Sequence, residues 1–348
     1  MMTTEVQINP KMIVLARESR GISQKELAEK LNTTPGFICK IETENKSLPE
    51  PTLEKMSRLL KYPADFFYQE GEAYLPMSLN YRKREHVNAK ALMPLEAHLN
   101  LYRLNIERVA QKIKLPTANV PDLDLTKLGS VEQVAKQLRK LWKVAKGPIP
   151  NMTELLEANG IIVIAFDFGT ERVDSRTIFT KDKQPIIFIN KGHQADRQRF
   201  SLAHELGHLI MHTHTLPAHD RDITHEANLF AAGFLLPEAE AKKEFENGVT
   251  IPLLGELKRK WKVSMIALLH RAHDLGCLTD NQKKYLLAQF NQLKIRRREP
   301  VDLDFSKEKP HLLHSLILKY KNAHKFSAKE LAASLCLEVE EFTSKYTE

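Results

Sequence analysis

Residues 200–212 form an apolar run that carries five chemically loaded positions, His204-Glu205-Leu206-Gly207-His208. The spacing makes sense only on a helix, where histidines at i and i+4 stand one turn apart on one face and both imidazoles reach a single metal ion. Glu205 lies about 100° further round, beside the pair, where a carboxylate can act as general base on metal-activated water. Leu202, Ala203, Leu206, Leu209 and Ile210 give the same segment the periodic apolar face of a buried helix. A buried imidazole or carboxylate is costly without a partner, so the run predicts a helix that is both a core element and a metal site. The competing reading is a core helix with two solvated histidines on its outer side.

At 348 residues, 42% of them hydrophobic and 28% charged, the chain is long enough for two or three domains with separate cores. No stretch reaches the roughly 20 apolar residues of a membrane span, and the first residues lack a basic-then-apolar leader. A cytoplasmic protein with no membrane partner is expected. Cys39, Cys277 and Cys336 are odd in number and lack ligand spacing, which argues against a disulfide framework. The net charge of +8 is uneven: residues 81–146 carry 14 basic and 6 acidic side chains, residues 147–240 carry 8 and 13. Arg82-Lys83-Arg84 and Arg296-Arg297-Arg298 are either phosphate-binding runs or solvated faces.

The first seventy residues read as short helices. Met12, Ile13, Leu15 and Ala16 form an apolar stripe ended at Arg20-Gly21, and Ser23 opens a capping box with Glu26. Leu27, Ala28 and Leu31 then face inward, Asn32-Thr33 turns the chain, and further helices follow through Phe37–Ile41 and from Pro51 to Leu60. Tight turns between such helices are the layout of a helix-turn-helix unit. The run G-I-S-Q-K-E-L-A-E-K-L-N-T-T-P-G-F-I-C-K-I-E resembles the Xre/Cro–C1 repressor family over residues 8–68. The resemblance implies that Gln24 meets a backbone phosphate of double-stranded operator DNA, with Thr34, Pro35, Gly36 and Lys40 on the reading helix. Ten basic against eleven acidic residues in positions 1–80 leave little phosphate neutralisation, so a homodimer or help from the basic segment is needed.

Residues 71–147 read as a basic helical connector, with helical spacing at Leu92 to Ile106 and Val131 to Trp142, and a loop from Pro116 to Gly129. Gly147-Pro148-Ile149-Pro150 is a firm break. Beyond it come a helix at Met152 to Asn159, strands at Ile161–Phe166, Arg176–Thr180 and Pro185–Asn190, and then the histidine-bearing helix from near Arg197. A strand edge beside a metal can hold an extended peptide through main-chain hydrogen bonds.

The segments R-Q-R-F-S-L-A-H-E-L-G-H-L-I-M-H and E-A-N-L-F-A-A-G-F-L-L-P resemble the ImmA/IrrE metallopeptidase family. The resemblance implies a Zn²⁺ peptidase that cleaves a helix-turn-helix repressor, with His204 and His208 as ligands and Glu205 as the catalytic base. In that family the third ligand is usually a glutamate three residues before the alanine of A-N-x-F-A-A, and here that position is Thr224. Glu226 is taken as the third ligand, with Asp222 and His225 as substitutes, and His193, His212, His214 and His219 lie nearby. Toward the end of the chain, Ser327-Ala328-Lys329-Glu330-Leu331-Ala332 echoes Ser23 to Ala28, and the region reads as a helical interaction module.

The expected fold is multidomain and mainly α: a helix-turn-helix domain (1–70), a helical connector (71–147), an α+β metallopeptidase domain with a small sheet (148–280) and a helical C-terminal region (281–348). The expected function is a transcriptional regulator with a zinc endopeptidase domain acting on a repressor or antitoxin-like protein. The alternative is a DNA-binding regulator whose peptidase-like domain senses without cleaving, which Thr224 favours.

Overall fold

The computed structural model describes residues 8–44, 48–71, 89–213 and 221–346. Arg82-Lys83-Arg84, His214 and His219 lie outside them. In the first part, α1 (Pro10–Ser19) is capped by Asn9, which accepts from Lys11 N at 3.0 Å. The predicted capping box of Ser23 and Glu26 opens α2 (Gln24–Leu31), and Asn32 closes it in the left-handed region. Thr34 then caps α3 (Pro35–Thr43), and α4 (Glu50–Leu60) follows. Met12, Ile13, Leu27, Ile38, Met56 and Leu60 fill the space between these helices. Arg17, buried on α1, donates to both carboxylate oxygens of Glu42 on α3, at 2.6 and 3.0 Å. Such a bidentate pair fixes the angle of α3 against the bundle.

The connector is not a separate layer. Its first helix, α5 (Ala89–Ala110), lies along α1, while α6 (Leu125–Leu128) is a single turn inside the expected loop. The next, α7 (Val131–Leu141), packs on the helix Ile223–Leu235, and Arg271, on a later helix, donates to both oxygens of Glu132 on α7. Each half of the connector has therefore joined a different core.

After α8 (Met152–Ala158), the strands β1 (Ile162–Phe166), β2 (Ser175–Phe179) and β3 (Pro185–Asn190) form a sheet of order β1-β3-β2. β1 runs parallel to β3, and β2 pairs antiparallel to it, so β2 is an edge. Alternation divides the strands between two cores. Ile162, Ile164, Ile186 and Phe188 pack with α5, the first bundle and the C-terminal helices, whereas Val163, Ile187 and Ile189 pack with the helices below.

Below the sheet runs α9 (Ala195–Met211), crossed closely by α10 (Ile223–Leu235). Gly207 permits the approach: a Cβ there would stand 2.9 Å from Phe230 Cδ1. Next come α11 (Glu238–Glu244), α12 (Ile251–Trp261), α13 (Met265–Asp274) and α14 (Asp280–Gln292). The apolar periodicity from Trp261 to Ala272 reads as one helix, but the structure breaks it at Lys262, whose φ of 54° ends α12, and Ser264 caps α13. Lys258, buried, donates to Asp196 and Glu299 at 2.6 Å each and so pins the start of α9. Arg298 pairs with Asp304 rather than standing free for phosphate. The chain finishes with α15 (Leu312–His324), α16 (Ala328–Ser334) and α17 (Val339–Tyr346). No helix among the described residues is long and apolar enough to cross a membrane.

Candidate metal centre

One turn apart on α9, His204 and His208 are both buried and point their Nε2 atoms at each other, 3.1 Å apart. Their outer nitrogens decide what the inner ones can do. His204 Nδ1 lies 2.9 Å from Asn228 Oδ1 on α10; an amide oxygen only accepts, so Nδ1 carries the hydrogen and Nε2 keeps its lone pair.

For His208 the reasoning runs through a second imidazole. His212, one further turn along α9, has its Nε2 2.8 Å from Glu226 Oε2 and its Nδ1 3.0 Å from His208 Nδ1. A carboxylate accepts, so His212 Nε2 donates. Burial holds His212 below the usual histidine range, although Glu226 pulls the other way, which keeps the ring neutral at pH 7. Its Nδ1 must then accept from His208 Nδ1, leaving a lone pair on His208 Nε2 as well. Each Nε2 is then the acceptor-type nitrogen that a metal ion binds. Tetrahedral zinc with Zn–N bonds near 2.05 Å would set two nitrogens about 3.3 Å apart, close to the 3.1 Å separation of this pair.

The other expected ligands are engaged elsewhere. Glu226 accepts from Arg221 Nε and Nη2 at 2.9 and 2.6 Å besides its bond to His212. Together these hold its carboxyl below the ordinary carboxylate value against the upward push of burial. The structure thus places Glu226 behind His208 rather than beside the two Nε2 atoms. Asp222 caps α10 by accepting from His225 N at 2.9 Å, and the His225 side chain is exposed. Among the described residues, no group of three or more His, Cys, Asp or Glu is arranged to hold a metal ion. His193 sits apart, against Asp174 and the Glu171 carbonyl.

Glu205 is half-buried and turned toward the edge strand. Its Oε1 accepts from Ser175 Oγ at 2.7 Å and its Oε2 from Thr177 Oγ1 at 2.5 Å. Residues i and i+2 of a strand share a face, so β2 presents both hydroxyls together. Sequence reasoning passed over these two residues, because the strand was expected to begin at Arg176 and nothing in the pattern links β2 to α9. His212 had a clearer signal, since positions 204, 208 and 212 continue one helical row.

On the first bundle, Thr34, Pro35, Gly36 and Lys40 are exposed along the start and outer face of α3. Thr34 Oγ1 accepts from Phe37 N at 3.2 Å. Gln24 is half-buried, and its Nε2 donates to Glu42 Oε2 at 2.7 Å, so a phosphate would have to compete with that carboxylate for the amide.

Comparison with protein families matches residues 13–67 to the helix-turn-helix family and residues 156–273 to the metallopeptidase family described as the IrrE N-terminal-like domain. A comparison with curated proteins gives no match.

Proposed function

We propose, from the premise that this chain carries an Xre-type helix-turn-helix domain and an IrrE N-terminal-like metallopeptidase-type domain in one polypeptide, that it is a zinc-dependent endopeptidase and DNA-binding regulator. It works in the cytoplasm, and its substrate is a helix-turn-helix repressor or antitoxin-like protein. The observation that carries the reading is the pair of Nε2 atoms on His204 and His208, 3.1 Å apart, with the Nδ1 of each ring engaged by Asn228 or His212. Zinc held there would supply a Lewis acid and make water a nucleophile near neutral pH. Glu205 takes a proton from the attacking water and passes it to the leaving amine. Ser175 and Thr177 hold its carboxylate toward the edge strand, where an extended peptide adds beside β2 by main-chain hydrogen bonds. Asn228 and His212 keep both ligand rings in the tautomer a metal requires.

At the other end, the exposed face of α3 with Thr34, Pro35, Gly36 and Lys40 enters the major groove of a double-stranded operator, and Gln24 stands near the backbone. The near-balanced charge of the bundle calls for two chains on one operator. A second reading, a regulator that senses metal or partner without cleaving, is favoured by Thr224 at the usual position of the third ligand. Glu226 remains in this proposal as the group that orients His208 through His212, or as a ligand after release from Arg221. Elemental analysis decides: about one zinc per chain, lost in His204→Ala, supports the peptidase reading, and a wild-type protein that takes up no zinc on reconstitution moves the assignment to the sensor.

A further inference from the structure

The last three described helices repeat the first three. The shift in numbering that carries Ser23 onto Ser327 aligns two capping boxes, Ser23 with Glu26 and Ser327 with Glu330. It carries Gly21 (φ 65°) onto Lys325 (φ 56°) and Asn32 (φ 54°) onto Cys336 (φ 52°). Left-handed backbone is uncommon outside glycine, so its recurrence at both turns in register is not a product of helix packing in general. The same shift brings Pro35, where α3 starts, onto Val339, where α17 starts. Inward positions agree as well: Met12 and Leu316, Leu27 and Leu331, and Ile38 and Phe342 are all buried.

The outward positions do not agree. Gln24 becomes Ala328, Thr34 becomes Glu338, Gly36 becomes Glu340 and Lys40 becomes Ser344, all exposed in the second unit. Two carboxylates at the start of the helix and the loss of the lysine set this face against phosphate. The neighbouring edge of α17 is instead bound to protein. Glu341 accepts from Arg20 Nη2 at 2.5 Å, beside the Tyr62 hydroxyl at 3.5 Å, and Arg20 also donates to Leu60 O and lies over the Tyr62 ring. Tyr346 accepts from Asn105 of α5 at 2.8 Å, and Arg108 of α5 donates to Ser334 O and to Gln69.

We propose that residues 312–346 are a second helix-turn-helix unit, converted from reading nucleic acid to holding the first unit against α5, so that each chain presents a single reading helix. The DNA half of this statement rests on the proposed function of the first unit; the holding half does not.

Two experiments on the full chain test it. In the first, Lys25→Ala and Lys329→Ala, exposed lysines at the same register of the two units, are compared for retention on random-sequence duplex DNA at low salt. The expected result is several-fold weaker binding for Lys25→Ala and none of that loss for Lys329→Ala; equal losses overturn the proposal. In the second, amide hydrogen exchange is followed in Glu341→Ala and the gentler Glu341→Gln, with exposed Ser344→Ala as control. Exchange is expected to accelerate roughly tenfold or more in α17 and in α1 together. Acceleration confined to α17, or none in either variant, overturns it. A wild-type protein that binds no duplex sinks the DNA reading of the first unit, and the exchange result then decides the holding role by itself.

Discussion

His212 stands between His208 and Glu226, 3.0 Å from the Nδ1 of the one and 2.8 Å from a carboxylate oxygen of the other, so a single imidazole links Glu226 to a histidine it does not touch. A supporting group behaves differently from a ligand when removed, and that difference is measurable.

His212→Phe and Glu226→Gln should each weaken zinc binding by about 10- to 100-fold without abolishing it, while His204→Ala abolishes stoichiometric binding. Competition against a chromophoric chelator reads the affinities. Complete loss of zinc in Glu226→Gln would mean that this carboxylate swings from Arg221 to the metal.

Replacing Glu205 by Gln removes the base while keeping one acceptor for the Ser175 and Thr177 hydroxyls and an amide donor to which the other hydroxyl can turn its oxygen. Zinc content should stay unchanged while cleavage of the protein substrate proposed above falls by about 10²- to 10⁴-fold. Retained cleavage at full zinc occupancy would rule Glu205 out as the base.

Gly207→Ala would press a methyl group against Phe230 Cδ1 at 2.9 Å, at the crossing that sets His204 against Asn228. Overpacking of this kind costs about 1–3 kcal/mol. Denaturant unfolding should register that loss, and zinc affinity should fall with it because the two helices separate. An unchanged midpoint would show that Phe230 turns aside freely.

His98 lies on α5 close to Lys345, Glu341 and Arg20, where burial first and Lys345 second push its pKa down to about 4. The folded chain thus refuses a proton that the unfolded chain accepts between about pH 6.5 and 4. Its contribution to stability is intact above pH 6.5 and is lost as pH falls to about 4. The loss amounts to roughly 3 kcal/mol for a ring with this shift. Urea unfolding at successive pH values should show a shallower acid loss in His98→Gln than in the wild type; parallel curves would contradict this origin.

Helix positions were readable wherever capping chemistry and periodicity agreed, as at Ser23 with Glu26 and along Leu202 to Ile210. Register within the histidine row was readable too, because i to i+4 spacing is a property of the helix alone. What escaped was contact between elements distant in the chain: Ser175 and Thr177 meet Glu205 only because β2 is the sheet edge over α9. Glu226 illustrates the same gap. Its side of the helix was a matter of spacing, but its engagement by Arg221 and His212 depends on how α10 crosses α9, which no local pattern encodes. The helix break at Lys262 was hidden because Trp261, Val263 and Ile266 keep an apolar rhythm across it.

The alternation of β1 and β3 has a consequence for how far this chain can be taken apart. A sheet whose odd and even residues belong to different cores is a party wall, and neither room keeps its shape when the other is pulled down. Excising the peptidase-type segment would bare Ile162, Ile164, Ile186 and Phe188 to water, and excising the DNA-binding segment would bare the face of α1 that packs on α5. The exposed face of α3 and the histidine row of α9 therefore belong to cores that share this one sheet.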